Sequence, residues 1–476
     1  MTEIKCLINP VKSSSLTPHH KNMLYNILCK GSPFPIFRNI FIRVNLLTEK
    51  HIMKKLNSLI LILFCLCVKV YSQDALEGWI QTPDSVGIPF AHISLKNQPL
   101  GTCTNEKGFF RFIIDSAYIQ DTIIISNIGF RNYTFTINSL NGCDSIFYLE
   151  PANYELKAAV IINNAPTANE IIKQVIRNYG RNYPRTGYQA KAFFQDIVYN
   201  YSINAEQEVA RITEAAITMQ EYGVQTAKEV KFRVDELRNS KNYIETDKKM
   251  EWIIRLGFGG LQNPVLEMYN EYDISKKDFF KTFLEKNEVS LESIDFLDTV
   301  AVFVIKFTPN ANAFTDTNAF KYDYKIYVNV DNYAILKEDF NKTITPKFQE
   351  ILGTDKAANR RKIKWYKNID NKYYPYLIEY VAVVKDQGYK PSKDYHYVRH
   401  SFLMMNEIIS KRRDFKRIKW REKEDENDLL YNREFTYNEE FWDDFNVLYT
   451  QEEVIKAKQV LSKEQSIENQ FLENSK

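Results

Sequence analysis

Two histidines, His396 and His400, come nearest to a catalytic constellation in this chain. They are four positions apart in a segment, Asp394–His400, that alternates like a strand, so both side chains lie on one face. A zinc site built on them needs a carboxylate from a neighbouring strand, and Glu379 is the candidate. Such a site would make the chain a metal-dependent hydrolase or peptidase. The alternative is that both histidines are ordinary residues of a polar sheet face.

Other catalytic patterns are absent from the sequence. It contains no H-E-x-x-H zinc motif, no G-x-S-x-G serine elbow and no phosphate-binding glycine loop. Paired carboxylates of the kind used by glycosidases are too frequent to single out. Glu214 and Glu206 or Glu208 could face inward, but solvated sheet faces explain most such residues. The sequence therefore assigns no catalytic residue and no cofactor, and we do not expect an enzyme.

Two cysteines, Cys103 and Cys143, lie beyond residue 72. In an oxidising compartment they are candidates for a disulfide, and the alternative is two separate thiols. The aromatic residues offer a different function, because tyrosines on an open sheet face stack on glycans or hold lipid, whereas buried ones only pack. The candidate groups are Tyr199 and Tyr201, Tyr322 and Tyr324, and Tyr373, Tyr374 and Tyr376.

A signal peptide is predicted at residues 53–72. Lys54 and Lys55 precede an apolar run of ten residues, Leu59–Val68, and Ser72 supplies the small residue before cleavage. The run is too short to span a membrane comfortably, since that takes about 20 residues. Residues 1–52 are interpreted as an upstream extension with a start assigned too early, and the mature chain is expected to be exported.

Charge gives no indication of nucleic-acid binding. Residues 1–72 hold 10 of the 63 Lys and Arg residues and 2 of the 60 Asp and Glu residues, so the rest carries a net charge near −5. A basic patch is the usual electrostatic mark of a nucleic-acid surface. We therefore expect a partner of another kind.

The segment Asp74–Pro151 consists of short β-rich runs with turns between them. Ile123–Ile125 is a continuous apolar run, typical of a strand buried on both faces. Thr104–Gly108 predicts a hairpin turn, because Asn and Gly tolerate positive φ. The spacing of strands and turns predicts a seven-stranded β-sandwich.

Four matching segments in this region resemble the carboxypeptidase-D regulatory-like domain, a transthyretin-like sandwich. They are Gly87–Ile93, Gly101–Thr102, Thr104–Phe110 and Ser126–Phe130. Asn105 stands where that family has Asp, and Phe130 where it has Tyr. The resemblance implies an accessory module that is not itself catalytic.

The second region begins with a helix and is then rich in strands. Thr167 and Glu170 have the spacing of a capping box, and the apolar positions after them predict a helix of about 12 residues that Gly180 and Pro184 end. Asp331 and Asn332 indicate a hairpin. Strand candidates are Gln189–Asp196, Glu208–Ile217, Val230–Leu237, Ser290–Leu297, Thr299–Phe307, Tyr322–Val330, Tyr333–Phe340, Lys362–Tyr366, Tyr373–Lys385 and Tyr395–Ile409.

The predicted fold is mainly β (α+β), with the sandwich followed by a large curved antiparallel sheet and a few helices. The predicted division is an extension 1–52, a signal peptide 53–72, a sandwich 73–151, a linker 152–166, a β-rich domain 167–450 and a C-terminal helix 451–476. The strand pattern lacks the regular alternation of about ten residues that membrane barrels need, so no integral barrel is expected.

The arrangement resembles secreted Bacteroidota proteins that pair this regulatory-like domain with an uncharacterised β-rich region. Phe193–Asp196 reads Phe-Phe-Gln-Asp where many relatives read F-Y-R-E. The expected function is binding or assembly in the periplasm or at the outer membrane, with an envelope protein, glycan or lipid as partner.

Overall fold

The computed structural model describes residues 74–96, 98, 100–127, 130–137, 145–151, 166–202, 208–224, 230–240, 263–270, 284–297, 300–309, 320–345, 359–387, 394–425, 430–433, 435–448 and 465–473. All of them belong to one compact unit, Ser72–Lys476. The predicted upstream extension, the predicted signal peptide and nearly all of the predicted linker lie outside the described residues. Within this part of the chain, no helix has the length and apolar character needed to cross a membrane.

Seven strands form the predicted β-sandwich. They are β1 (Asp74–Gln81), β2 (His92–Leu95), β3 (Gly101–Cys103), β4 (Phe109–Ile114), β5 (Thr122–Ser126), β6 (Tyr133–Thr136) and β7 (Ser145–Tyr148), with a 3₁₀ turn at Ser116–Tyr118. One sheet has the order β4-β1-β7 and the other β3-β2-β5-β6. Alternate side chains from both sheets meet between them, including the fully buried Ile80, Phe110 and Ile125. The sandwich prediction is therefore confirmed.

The turn at Thr104–Gly108 differs from the predicted hairpin. Asn105 Oδ1 accepts hydrogen bonds from the backbone N–H groups of Lys107 and Phe109, both at 2.9 Å. Gly108 has φ +87°, and a Cβ there would lie 2.3 Å from the carbonyl oxygen of Ile80. The strands on either side belong to different sheets, β3 to one and β4 to the other. The turn thus connects the two layers of the sandwich. Side chains from both layers are needed to fill the core between them.

Ten strands form the large antiparallel sheet. They are β8 (Tyr188–Ser202), β9 (Glu208–Glu221), β10 (Lys231–Asn239), β11 (Asn287–Leu297), β12 (Val300–Pro309), β13 (Phe320–Asn329), β14 (Ile335–Ile344), β15 (Asn359–Ile369), β16 (Lys372–Gln387) and β17 (Asp394–Ile409). Their order is β10-β9-β8-β17-β16-β15-β14-β13-β12-β11. The strands from β11 to β17 form a meander, and β17 then pairs with β8 along most of its length. Each predicted strand corresponds to one of these ten.

The first α-helix, α1 (Ala168–Asn182), carries the predicted capping box. Thr167 Oγ1 accepts from the Glu170 N–H at 3.3 Å, and Glu170 Oε2 accepts from the Thr167 N–H at 2.8 Å. The helix continues past Gly180 to Asn182, which corrects the predicted end. Asn182 Nδ2 donates to the Asn332 carbonyl at 2.8 Å, so contacts with the β13–β14 turn stabilise the last helical turn.

The remaining helices in the described part of the chain are short. They are α2 (Pro264–Asn270), α3 (Glu439–Asp443) and α4 (Ile467–Glu473), with 3₁₀ turns at Arg412–Asp414, Trp420–Glu422 and Leu430–Asn432. The predicted C-terminal helix, 451–476, is described only from residue 465. Asn446 follows α3 and pairs with the edge strand β4, since its side chain accepts from the Ile113 N–H at 2.7 Å and donates to the Ile113 carbonyl at 3.2 Å. This contact covers a strand edge that would otherwise be open to association.

The large sheet has two apolar faces, which we call the helix face and the sandwich face. On the helix face, α1 packs against β12–β14, where Ile305 and Ile326 are fully buried. On the sandwich face, Phe402 and Met404 of β17 pack against Cys103 of the sandwich. Leu100 forms a β-bridge with Glu407, which joins the two sheets at backbone level. The sandwich and the large sheet therefore share a continuous interface.

Candidate functional site

An open cleft of about 200 Å³ lies beside the connection from α1 to β8. Its lining residues are Pro184, Arg185, Thr186, Gly187, Tyr188, Lys372, Tyr374 and Ser410. They come from the α1–β8 connection, from the start of β16 and from the residue after β17. Residues distant in the sequence thus meet at one end of the sheet.

Two glycines allow two segments of the backbone to pass close to each other beside the cleft. A Cβ on Gly187 would lie 2.4 Å from the Glu221 carbonyl oxygen. Gly223 has φ +90°, and a Cβ there would lie 2.4 Å from the Arg185 carbonyl oxygen. Because any larger residue would push the two segments apart, these glycines fix the path of the connection and with it the wall of the cleft.

Two cations lie at the cleft, both bound to the C-terminus of α1. Arg185 Nε donates to the Gly180 carbonyl at 2.9 Å. Lys372 Nζ donates to the carbonyls of Gly180 at 3.3 Å and Arg181 at 2.6 Å. Burial, and then the charge of Arg185, lower the pKa of Lys372. The two cations are therefore close enough to repel each other.

The apolar part of the cleft is aromatic. The rings of Tyr188 and Tyr374 meet edge to face, with centroids 4.9 Å apart and planes at 88°. Both side chains are buried, whereas Thr186 and Ser410 are exposed. The cleft thus combines an aromatic wall, two hydroxyl groups and two cations, a composition suited to a small ligand with an apolar part and a polar group.

A second, smaller cavity lies on the other side of the same connection. Its volume is about 20 Å³, which is room for a single water molecule. Glu221 and Lys364 line it, and Tyr269 OH donates to Glu221 Oε2 at 3.2 Å. The Lys364 ammonium lies 5.2 Å from the centre of the Tyr269 ring, a cation–π distance.

A buried polar residue, Glu338, lies on the helix face beside this cavity. Glu338, 2% exposed, lies opposite Lys364 in the register of β14 and β15. Its carboxylate accepts a hydrogen bond from Tyr324 OH at 3.0 Å and a second from Tyr366 OH. These interactions satisfy the hydrogen-bonding groups of a buried carboxyl, which a fold tolerates only when they are paired.

A second buried network joins β8, β9 and β17. Asp196 accepts from Arg399 Nε at 2.7 Å and from Ser401 Oγ at 2.6 Å. Arg211 Nη2 lies 3.5 Å from the same carboxylate, and its guanidinium stacks 3.9 Å above the Tyr431 ring. Burial raises the pKa of Asp196, but the charges of Arg399 and Arg211 outweigh it, so the net pKa is lowered. The aspartate of the Phe-Phe-Gln-Asp strand is therefore ionised inside the fold.

Cys103 lies at the interface of the sandwich with the large sheet. It is buried, and its Sγ is 3.4 Å from the sulfur of Met404. Burial raises the pKa of its thiol. Cys143 lies outside the described residues, so the disulfide stays a prediction.

The predicted metal residues have different outcomes. His400 Nε2 lies 2.9 Å from Glu379 Oε1, so the structure brings together the histidine and the carboxylate that a metal site would need. Its Nδ1 lies 3.6 Å from Glu106 of the sandwich turn. The side chain of His396 lies outside the described residues, and within those residues no group of three His, Cys, Asp or Glu is arranged to hold a metal. The metal site stays the untested alternative to the prediction that the chain holds no metal.

Most of the tyrosines that were candidates for ligand stacking are packed away from the cleft, where described. Tyr199, Tyr324, Tyr373 and Tyr374 are all at most 9% exposed. Tyr376 packs against the His92 ring at 4.7 Å in the interface with the sandwich. The side chains of Tyr201 and Tyr322 are outside the described part. Only Tyr374 borders the cleft, so the sequence found one of its residues and missed the two cations.

Glu214, for which the sequence allowed an inward-facing side chain, is buried. Gln195 Nε2 donates to its Oε1 at 2.7 Å, and Arg238 Nη2 lies 2.5 Å from its Oε2. The side chain of Glu208 and all of Glu206 lie outside the described residues. The described contacts of Glu214 are those of a structural ion pair between β9 and β10.

No protein-family model matches the chain, and no curated protein matches it. Among solved structures, a LolA superfamily protein from Nitrosomonas europaea is 12% identical and superposes over 53% of this chain and 96% of its own, with a TM-score of 0.20. A DUF1329 family protein from Desulfovibrio piger is 8% identical, over 50% and 93%, with a TM-score of 0.20. A structure of lipovitellin is 8% identical, over 49% and 26%, with a TM-score of 0.23. Similarities at these TM-scores carry no argument about function.

Proposed function

We propose that the chain is an exported cell-envelope protein that acts by binding a small ligand in the cleft beside α1, and not by catalysis. The observation that carries this proposal is the cleft of about 200 Å³, with its aromatic wall and polar rim. The predicted signal peptide supports export to the periplasm or outer membrane. The resemblance of the sandwich to an accessory, non-catalytic module supports binding as the activity.

The volume limits what can enter. Sites for drug-sized ligands measure roughly 300–1,000 Å³, so a cleft of about 200 Å³ takes a small metabolite or one end of a longer molecule. A glycan or lipid of the envelope would place a terminal group here. The rest of such a molecule would lie along the exposed rim near Thr186 and Ser410.

The test compares a blocked cleft with an open one in the mature chain, residues 73–476. The variant Ser410→Trp fills the rim from an exposed position, so it leaves the core unchanged. Gln120→Trp places the same residue on an exposed site of the sandwich and is the matched control. Calorimetry against a panel of short-chain fatty acids, lysophospholipids, amino sugars, sugar phosphates and small aromatic compounds measures affinity.

At least one panel member is expected to bind, Ser410→Trp to weaken its affinity at least tenfold, and Gln120→Trp to leave it unchanged. The proposal is overturned if no panel member binds, or if both tryptophan variants behave alike. It is also overturned if the purified mature chain turns over a peptide or glycan substrate.

A further inference from the structure

We infer that the cleft binds the anionic group of its ligand, a phosphate or a carboxylate, between Arg185 and Lys372. This inference rests on the proposed function, because it names the chemistry of the ligand that the same cleft receives. It is carried by the charge of the lining residues, by the donors that the two cations have left, and by the hydroxyl groups beside them.

The lining of the cleft is cationic. Among the eight described residues that line it are one arginine and one lysine, and none of these eight carries a carboxylate. Both cations are held in place by the same carbonyl, that of Gly180. Two positive charges fixed side by side, with no acidic side chain among the described residues of the wall, create a local field that favours an anion.

Donors remain on both cations after these contacts. Arginine has five N–H donors and lysine three. Arg185 uses its Nε on Gly180, and Lys372 directs two bonds to the end of α1, so the described contacts leave the Nη groups and one ammonium proton for a ligand. A guanidinium with free Nη groups matches the geometry of carboxylate and phosphate oxygens.

The repulsion between the two cations also favours an anion bound between them. Lys372 is partly buried, and its pKa is lowered by that burial and by the charge of Arg185. An anion between the two would offset both effects. Thr186 and Ser410 add two hydroxyl donors at the rim, and the Tyr188 and Tyr374 rings accept an apolar body next to the charge.

The structural alternative is that both cations only stabilise the C-terminus of α1, since cations near a helix C-terminus interact favourably with its dipole. That role alone predicts a loss of stability when either cation is removed and no effect on ligand binding. The two roles are therefore separable by measuring affinity and stability on the same variants.

The experiment uses four probes on the mature chain: phenyl phosphate, benzoate, inorganic phosphate and benzyl alcohol. Arg185→Gln and Lys372→Gln each remove one charge from the cleft. Lys173→Gln removes one charge from an exposed position on the same helix and is the control. Titrations at low and high salt show whether charge contributes, because exposed electrostatic interactions are screened by salt.

Phenyl phosphate or benzoate is expected to bind more tightly than benzyl alcohol by at least tenfold, and salt is expected to weaken that binding. Each cleft variant is expected to lose about tenfold in affinity for the anionic probe, and Lys173→Gln to keep it. Comparing the affinities of phenyl phosphate and benzoate shows which anion is preferred. Comparing phenyl phosphate with inorganic phosphate shows whether the aromatic part of the ligand contributes to affinity.

The inference is overturned if benzyl alcohol binds as well as the anions, or if the cleft variants lose stability but keep affinity. In either case the proposed function survives, provided that Ser410→Trp still weakens binding at least tenfold and Gln120→Trp does not. If no probe and no panel member binds, the proposed function fails along with the inference.

Discussion

The amine of Lys367 is buried, so a positive charge on it is energetically unfavourable. It lies at the interface of the sandwich with the large sheet, and its Nζ is 3.3 Å from His92 Nε2. Gly101 makes room for the pair, since a Cβ there would lie 3.0 Å from His92 Nε2 and 3.4 Å from Lys367 Nζ. Burial lowers the pKa of Lys367 from 10.5 to about 7. Burial, followed by the charge of Lys367, also lowers the pKa of His92.

The lowered pKa of Lys367 makes stability depend on pH. Between about pH 7 and pH 10.5 the folded state binds fewer protons at this lysine than the unfolded state, so the free energy of unfolding rises with pH across that window. Below about pH 7 the cost of burying the charge is fully present. Lys367→Met is therefore expected to raise the free energy of unfolding at pH 7 and to flatten its rise toward pH 9.5. Urea denaturation at a series of pH values measures both effects.

Lys411 is an exposed lysine, and Lys411→Met serves as the control for removing a lysine charge. It is expected to keep the pH dependence of the parent chain. Equal pH dependence in Lys367→Met and the parent would contradict the argument, and so would a loss of stability at pH 7 in that variant.

At the scale of elements, α1 depends on its N-terminal cap. Thr167 and Glu170 satisfy each other's backbone N–H groups, and both are exposed, so the interaction can be removed without opening the core. Thr167→Ala is expected to lower the free energy of unfolding by about 1 kcal/mol, the usual cost of losing an N-cap side chain. Thermal or urea unfolding measures this loss. Thr167→Ser keeps the hydroxyl, and a similar loss in both variants would show that the cap is not the cause.

The capping box was predictable from the sequence because its two residues are close together in the chain. The strands were also predictable, because burial of one or both faces of a strand produces a pattern of apolar residues in its sequence. The end of α1 was not predictable from the sequence, since it depends on a hydrogen bond from Asn182 to a turn 150 positions away. The cleft was beyond prediction for the same reason. Lys372 bonds to a carbonyl 192 positions away, and nothing near either residue in the sequence marks the contact. Turn residues at Thr104–Gly108 identified a tight turn but not which sheets it joins.

At the scale of the whole molecule, the sandwich and the large sheet are joined by aromatic packing around Phe90. Its ring centroid lies 5.9 Å from that of Trp365 and 5.6 Å from that of Phe402. Phe90 has φ +54°, a backbone conformation that is unfavourable for an aromatic residue. The strain persists because the ring fills the interface between the two sheets. We therefore expect the sandwich and the sheet to unfold together.

Phe90→Asn tests this coupling. Asparagine tolerates positive φ, so the variant removes the ring without adding backbone strain, and a loss of roughly 2 kcal/mol is expected for a partly buried phenylalanine. Ser85→Asn places the same residue at another positive φ, +62°, on an exposed turn of the sandwich, and is expected to change little. Hydrogen exchange measured by mass spectrometry reports the opening free energy of β5 in the sandwich and β17 in the sheet. In the parent chain the slowest amides of both should open with the same free energy, and in Phe90→Asn both should fall by the same amount. A loss of protection confined to the sandwich would mean that the two parts fold independently and that their shared interface contributes little to stability.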